Sequence, residues 1–182
     1  MPGVANITFR RATALDAEVV SRLVNSAYRG ESSKAGWTTE AALLDGQRVD
    51  AERLRELIAA DDQVVWLAFV EGRLEGCVHL ALEADGRAFL GMLTVEPTRQ
   101  ARGLGRRMIT HAEVFVQEAW RRDALYMTVI SVRAELIAYY ARRGYLPTGE
   151  VKAFPSQEPR FGVPRRDDLQ LVVLRRALPG NE

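Results

Sequence analysis

Two glycines, Gly103 and Gly105, lie one residue apart among arginines at the predicted start of a helix. The first N–H groups of a helix have no acceptor within the helix, and the helix dipole adds partial positive charge there. Glycine also lets a ligand approach the backbone closely. This stretch, residues 97–108, is therefore suited to hold an anion such as a diphosphate. The alternative from local composition is that the glycines only form a turn into the helix.

Two common phosphate-binding motifs do not fit these glycines. A dinucleotide fingerprint requires a third glycine where this chain has Met108, and a Walker loop requires a Gly-Lys-Ser/Thr sequence that the chain lacks. The dinucleotide fingerprint also follows the first strand of a βαβ unit. Here the glycines follow three strands that are predicted in meander order over residues 63–95.

The hydrophobic pattern predicts the elements that position this stretch. Their order is strand, two helices, three strands, helix, strand, helix and two strands. The helix after the glycines carries an apolar stripe over about 17 residues, and residues 124–130 form an apolar run typical of a strand buried on both faces. Three prolines in residues 155–167 argue against regular structure there. We therefore predict a single α/β domain over residues 1–182.

Composition excludes several classes of protein. The 25 basic residues face 24 acidic ones, a balance that argues against a nucleic-acid-binding domain. No apolar run is long enough to span a membrane, and the N-terminus lacks the apolar stretch of a signal peptide, so a cytoplasmic location is expected. The single cysteine, Cys77, fits a small core residue. No His/Cys/Asp cluster has the spacing of metal ligands, and no metal is expected.

Residues 100–105, Gln-Ala-Arg-Gly-Leu-Gly, resemble the Gln/Arg-x-x-Gly-x-Gly/Ala signature of the GNAT N-acetyltransferase superfamily. The preceding residues 94–97 are similar to the Val-x-Pro that commonly stands there, and residues 138–145 resemble a later family segment. The element order agrees as well, so the resemblance covers most of residues 5–178. It implies a mixed, mostly antiparallel sheet flanked by four helices, with splayed central strands that leave a notch for acetyl-CoA.

The resemblance also implies how acetyl-CoA binds. The strand backbone before the motif pairs with the pantetheine arm, and the amides from Gln100 to Arg106 wrap the pyrophosphate. The implied cofactor-binding residues are Leu93, Thr94, Val95, Gln100, Ala101, Arg102, Gly103, Leu104, Gly105, Arg106 and Arg133. The sequence leaves open which of Arg99, Arg102, Arg106 and Arg107 adds charge. Arg133 replaces an Asn that many members carry near the CoA arm, which puts that one contact in doubt.

Acetyl transfer from a thioester to an amine requires a deprotonated nucleophile, a polarised carbonyl and a site for the leaving thiolate. The resemblance assigns the carbonyl to the amide of Val95 and the thiolate to Tyr140. Ordinary pKa values of about 10 for tyrosine and about 8.5 for a thiol make complete proton transfer uphill by about 2 kcal/mol. Hydrogen bonding to the thiolate is therefore the predicted role. The alternative is that Tyr139 and Tyr140 are core aromatics on an amphipathic helix.

No general base is evident on the strand before the motif. Glu83, near the end of the preceding strand, is the first candidate, and Glu40 is the second. His79 lies within a strand and is interpreted as a satisfied or half-exposed histidine. A neighbouring element or water is the other source of a base.

The acceptor pocket is expected from the polar segment 29–48, which occupies the place where family members build it. The predicted substrate-binding residues are Trp37, Thr38, Thr39 and Glu40, and Arg48 belongs to the same polar set. The proline-rich segment that holds Arg160 and Phe161 is predicted as the opposite wall.

These patterns predict an acetyl-CoA-dependent N-acetyltransferase that acts on a primary amine of a small molecule or peptide by direct attack in a ternary complex. The alternative is a catalytically silent CoA-binding sensor or scaffold. Neither a nucleic-acid nor a membrane partner is expected, and a homodimer is expected because dimers are frequent among relatives.

Overall fold

The computed structural model describes residues 5–100, 102–158 and 162–180. Within these ranges the strands are β1 Ile7–Arg11, β2 Leu44–Asp45, β3 Gln63–Val70, β4 Arg73–Leu82, β5 Ala88–Val95, β6 Ala124–Ile130, β7 Leu146–Ala153, β8 Val163–Pro164 and β9 Gln170–Ala177. The helices are α1 Ala17–Tyr28, α2 Gly30–Ser33, α3 Ala51–Ala59, α4 Leu104–Glu118 and α5 Ala134–Ala141. This is the predicted order of elements, with three short additions.

The main sheet has the strand order β1-β3-β4-β5-β6-β9-β7 over the described ranges. Its neighbouring strands pair antiparallel except β5 and β6, which are parallel. The prediction of a mixed, mostly antiparallel α/β sheet is confirmed.

The short additions are the one-turn helix α2 and the strands β2 and β8. Gly30, with a φ of +68°, turns the chain after α1 directly into α2, which the four predicted helices did not include. β2 and β8 pair with each other in a separate two-stranded sheet. Two residues on each side form too short a pairing to produce a pattern in the sequence, and the prolines around β8 argued against regular structure.

The helices cover both faces of the sheet. The apolar stripe of α4 packs against β4, β5 and β6, with Met108 and Ile109 nearly fully buried. α1 and α3 form a second apolar cluster on other strand residues, including Leu67 and Cys77. Cys77 is fully buried, as predicted.

The central strands separate after a short pairing. β5 pairs with β6 only through Ala88, Phe89 and Leu90. Beyond this point the register between β4 and β5 shifts, and Met92 has a φ of +48°, a conformation that L-residues rarely adopt. The extra residue forms a β-bulge, which bends its strand. The predicted splaying of the central strands is confirmed.

A buried hydrogen bond anchors the chain just after α5. The Tyr145 side chain is fully buried, and its hydroxyl donates to Glu113 Oε1 of α4 at 2.6 Å. Arg176 of β9 donates to the same oxygen at 2.8 Å. Burial and the adjacent Glu113 carboxylate raise the pKa of Tyr145, so its hydroxyl stays protonated. This contact holds the end of α5 against α4 and β9.

We expect Tyr145→Phe to lower the free energy of unfolding by about 1–3 kcal/mol, because a buried carboxylate oxygen loses a donor. Urea denaturation measures the change. Tyr126→Phe is the matched control: the Tyr126 hydroxyl accepts only an exposed bond from Arg175, and its removal should cost about 0.5 kcal/mol or less. Equal losses in the two variants would contradict the anchoring role of Tyr145.

Candidate active site

A cavity of about 320 Å³ lies where α4 begins, and we call it the α4 cavity. It is lined by the start of α4, the end of β5, one face of α5 and the loop after α2. Its residues are Tyr28, Trp37, Thr38, Leu93, Val95, Arg99, Gln100, Gly103, Leu104, Gly105, Arg106, Leu136, Tyr139, Tyr140 and Arg143. Most of the residues expected from the glycine motif therefore lie together.

Gly103 caps α4 in a left-handed conformation, with a φ of +82°. A Cβ atom there would meet no heavy atom within 4 Å, so the space beside this glycine is open. The first hydrogen bond of the helix runs from Arg107 N to Gly103 O at 3.2 Å. The N–H groups of Leu104, Gly105 and Arg106 precede it and have no acceptor within the helix. These groups are available to an anion, and the anion-binding role of this helix start stays a prediction.

Positive side chains surround this helix end. Arg99 and Arg106 line the α4 cavity, as does Arg143 from the end of α5, which the sequence analysis did not consider. The Arg143 guanidinium packs 3.5 Å from the centre of the Tyr139 ring, and its buried Nε has no hydrogen-bond partner in the described part of the chain. Arg102 is exposed and is not among the lining residues. Ala101, also predicted here, lies outside the described residues.

The Gln100 side chain ties the loop after α2 to β5. Its Nε2 donates to Thr38 Oγ1 at 2.9 Å and to Val95 O at 3.1 Å, and its Oε1 accepts from Trp37 N at 2.9 Å. A Cβ atom on Gly36 would overlap this side chain, so the close approach requires glycine. Trp37 and Thr38 were predicted to bind the acceptor, but these bonds place them in the wall of the α4 cavity.

A second cavity of about 290 Å³ lies on the other side of the point where β5 and β6 separate, and we call it the arginine cavity. Its charged lining residues are Glu40, Arg48, Arg53 and Arg133, its polar ones include His79 and Thr128, and apolar residues, mainly from β5, β6 and β9, complete it. It shares Tyr28, Leu93, Leu136 and Tyr140 with the α4 cavity. The two cavities therefore meet where β5 leaves β6.

Tyr140 and Tyr28 lie at this junction, and each is 7% exposed. Burial raises the pKa of Tyr140, and the neighbouring Tyr28 raises it further. The Tyr140 hydroxyl has no hydrogen-bond partner in the described ranges, whereas Tyr28 donates its hydroxyl proton to Leu93 O. Both side chains are neutral at pH 7, and Tyr140 keeps a free donor. Tyr28 is not among the predicted site residues, because in the sequence it is one more position on the apolar face of α1.

The backbone of β5 turns its Leu93 and Val95 groups toward the junction. Their carbonyls accept from Tyr28 and from Gln100, so the N–H groups of the same residues face that side too. Pairing with β6 has ended before Leu93. The carbonyls of Leu93 and Val95 therefore already bond to protein side chains, and the N–H groups of the same two residues are available to a ligand. The Thr94 side chain is buried and donates to Met92 O at 2.9 Å, so it stabilises the bulge and lines neither cavity.

Glu40 is the centre of a buried charge cluster. It is 4% exposed, and Arg29, Arg48 and Arg133 all contact its carboxylate, with Arg48 Nη1 at 3.6 Å and Arg133 Nη1 at 3.4 Å. Glu40 lines the arginine cavity as predicted, but both its oxygens are held in ion pairs, which does not suit the base role considered for it. Arg133 was expected beside acetyl-CoA. The contact with Glu40 draws it into the arginine cavity instead.

Two other predicted residues lie outside both cavities. Glu83 is exposed in the turn after β4, where its N–H donates to Arg87 O at 2.8 Å. This turn adjoins the start of β5, whereas the splay is at the end of β5, so Glu83 is not placed to accept a proton from an acceptor amine. The Thr39 hydroxyl bonds to Ser33 Oγ at 2.6 Å and to Ala41 N at 3.2 Å, and it shapes the loop that carries Glu40.

His79 lines the arginine cavity and is the imidazole nearest the junction. Its Nε2 donates to Gln63 Oε1 at 2.7 Å. Burial, together with the positive charges of Arg53 and Arg48, lowers the pKa of His79 to about 4. The ring is therefore neutral at pH 7 and is a weak base.

The described ranges hold no group of three or more His, Cys, Asp and Glu side chains that could bind a metal ion. Within the same ranges, each helix is too short or too polar to cross a bilayer.

A sequence model of the acetyltransferase (GNAT) family matches residues 34–145, which include both motifs and the junction residues Leu93, Leu136 and Tyr140. The chain belongs to this family. A comparison with functionally curated proteins finds no match.

Solved structures share the GNAT fold with this chain. The yncA protein of Salmonella typhimurium, solved with its cofactor acetyl-CoA, has 17% sequence identity and a TM-score of 0.68, covering 96% of this chain and 95% of its own. An N-acetyltransferase from Staphylococcus aureus has 11% identity and a TM-score of 0.70, covering 95% and 98%. The ribosomal-protein-S18-alanine N-acetyltransferase of Escherichia coli has 13% identity and a TM-score of 0.68, covering 97% of each chain. At these identities the comparison establishes the fold.

The lowered pKa of His79 makes stability depend on pH in this GNAT protein. Between pH 6.5 and pH 4 the unfolded chain binds a proton at His79 that the folded chain does not bind, so the free energy of unfolding falls as the pH decreases. The loss reaches about 3 kcal/mol and is absent above pH 6.5. We expect His79→Gln, measured by urea unfolding at pH 7, 5.5 and 4.5, to lose less stability than the parent. Parallel pH dependences would show that His79 titrates normally.

Proposed function

We propose that this protein is an acetyl-CoA-dependent N-acetyltransferase that transfers the acetyl group directly to a primary amine of a small molecule or peptide. The observation that carries the proposal is the junction of two cavities at Tyr140. One cavity runs to the start of α4, and the other begins on the opposite side of the same tyrosine. Two substrates can therefore be bound at once, as direct transfer in a ternary complex requires.

The α4 cavity offers donor groups that suit acetyl-CoA. The free N–H groups at the start of α4, with Arg99, Arg106 and Arg143 around them, suit the diphosphate. Gly103 leaves the space beside these groups open. The N–H group of Val95 suits an amide oxygen of the pantetheine arm. Bound acetyl-CoA would supply the thioester whose acetyl group is transferred.

Tyr140 is suited to stabilise the leaving thiolate by donating a hydrogen bond to it. The deprotonated amine forms the new C–N bond while the C–S bond breaks, and sulfur leaves with the electron pair. The Tyr140 hydroxyl donates a hydrogen bond to that sulfur, and the surplus amine proton passes to solvent. Burial keeps the Tyr140 hydroxyl protonated and able to donate this hydrogen bond, because its raised pKa disfavours the phenolate. The N–H of Leu93, which lines both cavities, is suited to polarise the thioester carbonyl, whereas Val95, to which the resemblance assigned that role, lines only the α4 cavity.

A homodimer and a cytoplasmic location stay predictions. The edge strand β7 exposes Leu146 and Val151, which makes it the candidate contact surface for the homodimer.

We expect acetyl-CoA at 100 times its Kd to stabilise the protein by about 2.7 kcal/mol, which corresponds to a rise in Tm of roughly 5–10 °C. Gly103→Glu should abolish this rise, because a negative side chain enters the diphosphate site. Gly149→Glu is the matched control: Gly149 also has a positive φ, of +90°, with open space around it, but it lies on β7 outside both cavities. A full acetyl-CoA shift in Gly103→Glu would refute this placement.

We expect Tyr140→Phe to lower kcat by about 100-fold or more, because the leaving thiolate loses its hydrogen-bond donor. The Kd for acetyl-CoA, measured by calorimetry, should change by less than about threefold, since the diphosphate contacts remain. Tyr126→Phe, outside both cavities, is the control and should retain kcat. Equal losses in kcat and in acetyl-CoA affinity would assign Tyr140 to packing. Acetyl-CoA binding with no turnover of any amine by the parent protein would favour the sensor alternative.

A further inference from the structure

The positive charge in the arginine cavity exceeds what the cavity needs to hold Glu40. Arg29 and Glu40 form the closest ion pair of the cluster, and both side chains are almost completely buried. Arg48 and Arg133 reach the same carboxylate only at 3.6 and 3.4 Å. In the described part of the chain, Glu40 is the only carboxylate within ion-pair distance of Arg48 or Arg133.

The arginines also have donors that the protein leaves unused. Arg48 Nε is buried without a hydrogen-bond partner in the described ranges, and its guanidinium lies 4.6 Å from the centre of the Tyr28 ring. The Arg133 side chain is 10% exposed. A buried, unpaired donor on a charged group is costly unless a ligand completes it. A planar carboxylate matches the guanidinium fork in both geometry and charge.

This excess charge lies beside the transfer site. Arg133 is the residue before α5, Leu136 and Tyr140 lie on the helix, and all three line the arginine cavity. Arg48 and Tyr140 line the same cavity as Tyr28. An acceptor whose anionic group bonds to Arg48 and Arg133 has only a short distance to span before its amine reaches the junction.

The remaining wall of the arginine cavity is apolar. Leu57, Val129, Ile130, Phe154 and Leu171 contribute to it. A volume of about 290 Å³ is at the small end for ligand sites and suits a compact molecule. A polyamine or a lysine-rich tail would face like charges from Arg48, Arg53 and Arg133, which disfavours it.

We propose that the acceptor is a free amino acid with an apolar or neutral side chain, whose α-carboxylate is held by Arg48 and Arg133 while its amine faces the thioester site. This inference rests on the proposed N-acetyltransferase function. Recognition of the carboxylate would select small amino acids over simple amines of the same shape. It also gives the splayed cleft one positive region for each of its two substrates.

The test compares matched amines that differ only in the anionic group. The protein is supplied with acetyl-CoA and each proteinogenic amino acid, and release of free thiol is followed. For each amino acid accepted, its amide, its decarboxylated amine and its aminophosphonate analogue are then compared. We expect kcat/KM for the amino acid to exceed that for the amide and the decarboxylated amine on the order of 100-fold. Equal turnover of the decarboxylated amine, or better turnover of the aminophosphonate, would overturn the carboxylate assignment.

Variants identify the residues that read the carboxylate. Arg48→Met and Arg133→Met should each reduce kcat/KM for the amino acid at least 10-fold more than for the matched amine. Arg55→Met is the control, because Arg55 is exposed on α3, pairs with Glu18 and lies outside both cavities. Equal losses for both substrates would give the arginines a structural role only. The acetyl-CoA thermal shift of each variant, measured alongside, verifies folding.

A binding measurement separates this inference from the proposed function. Equilibrium dialysis of amino acids in the presence of CoA, which lacks the acetyl group, reports the carboxylate site without turnover. If no amine is acetylated but amino acids bind and Arg48→Met weakens that binding, the carboxylate site stands and the N-acetyltransferase proposal fails. If amines are acetylated and the carboxylate affects neither binding nor turnover, the N-acetyltransferase proposal stands and the carboxylate site is refuted.

Discussion

The separation of β5 from β6 after Leu90 is the constraint on which the rest of the site depends. A parallel pair that continued would use the backbone groups of Leu93 and Val95 in the sheet and would close the space between the strands. The bulge at Met92 bends β5 away instead, and Thr94 supports the bulge by its bond to Met92 O. Because α4 follows β5 and α5 follows β6, the same separation brings the start of α4 and the face of α5 to opposite walls of one opening.

The two cavities at this opening are positive for different physical reasons. At the α4 cavity, peptide N–H groups and the helix dipole act together with side chains that reach solvent. In the arginine cavity, the charge is a consequence of packing: Glu40 is buried, and Arg29, Arg48 and Arg133 converge on it. A buried carboxylate requires such partners, and their converging charges exceed its own. The cluster therefore both holds the loop after α2 and polarises the cavity beside it.

Between these two positive regions lies a junction of neutral groups. Burial raises the pKa values of Tyr28 and Tyr140 and lowers that of His79, so the desolvation that surrounds the splay leaves each side chain uncharged near neutral pH. Tyr28 uses its proton to bond Leu93 O, whereas Tyr140 keeps its proton for a ligand. The two tyrosines share one environment but differ in their hydrogen bonds, so Tyr28 fixes the β5 backbone and Tyr140 has a donor available to a ligand.

The sequence by itself determined the order of the main elements, the stripe of α4 and the glycine at which that helix begins, because periodicity, glycine spacing and helix-end chemistry are local properties. It also identified Tyr140 and Gln100 through a family motif. Only the tertiary structure decided on which side of the β5–β6 separation each polar residue lies. Trp37 and Thr38 line the α4 cavity, Arg133 lines the arginine cavity, and Glu83 lies in an exposed turn. Those positions follow from contacts between residues that are distant in the sequence. Gln100 and Thr38 are 62 positions apart, and Arg133 and Glu40 are 93 positions apart. A local pattern carries no information about partners at such separations.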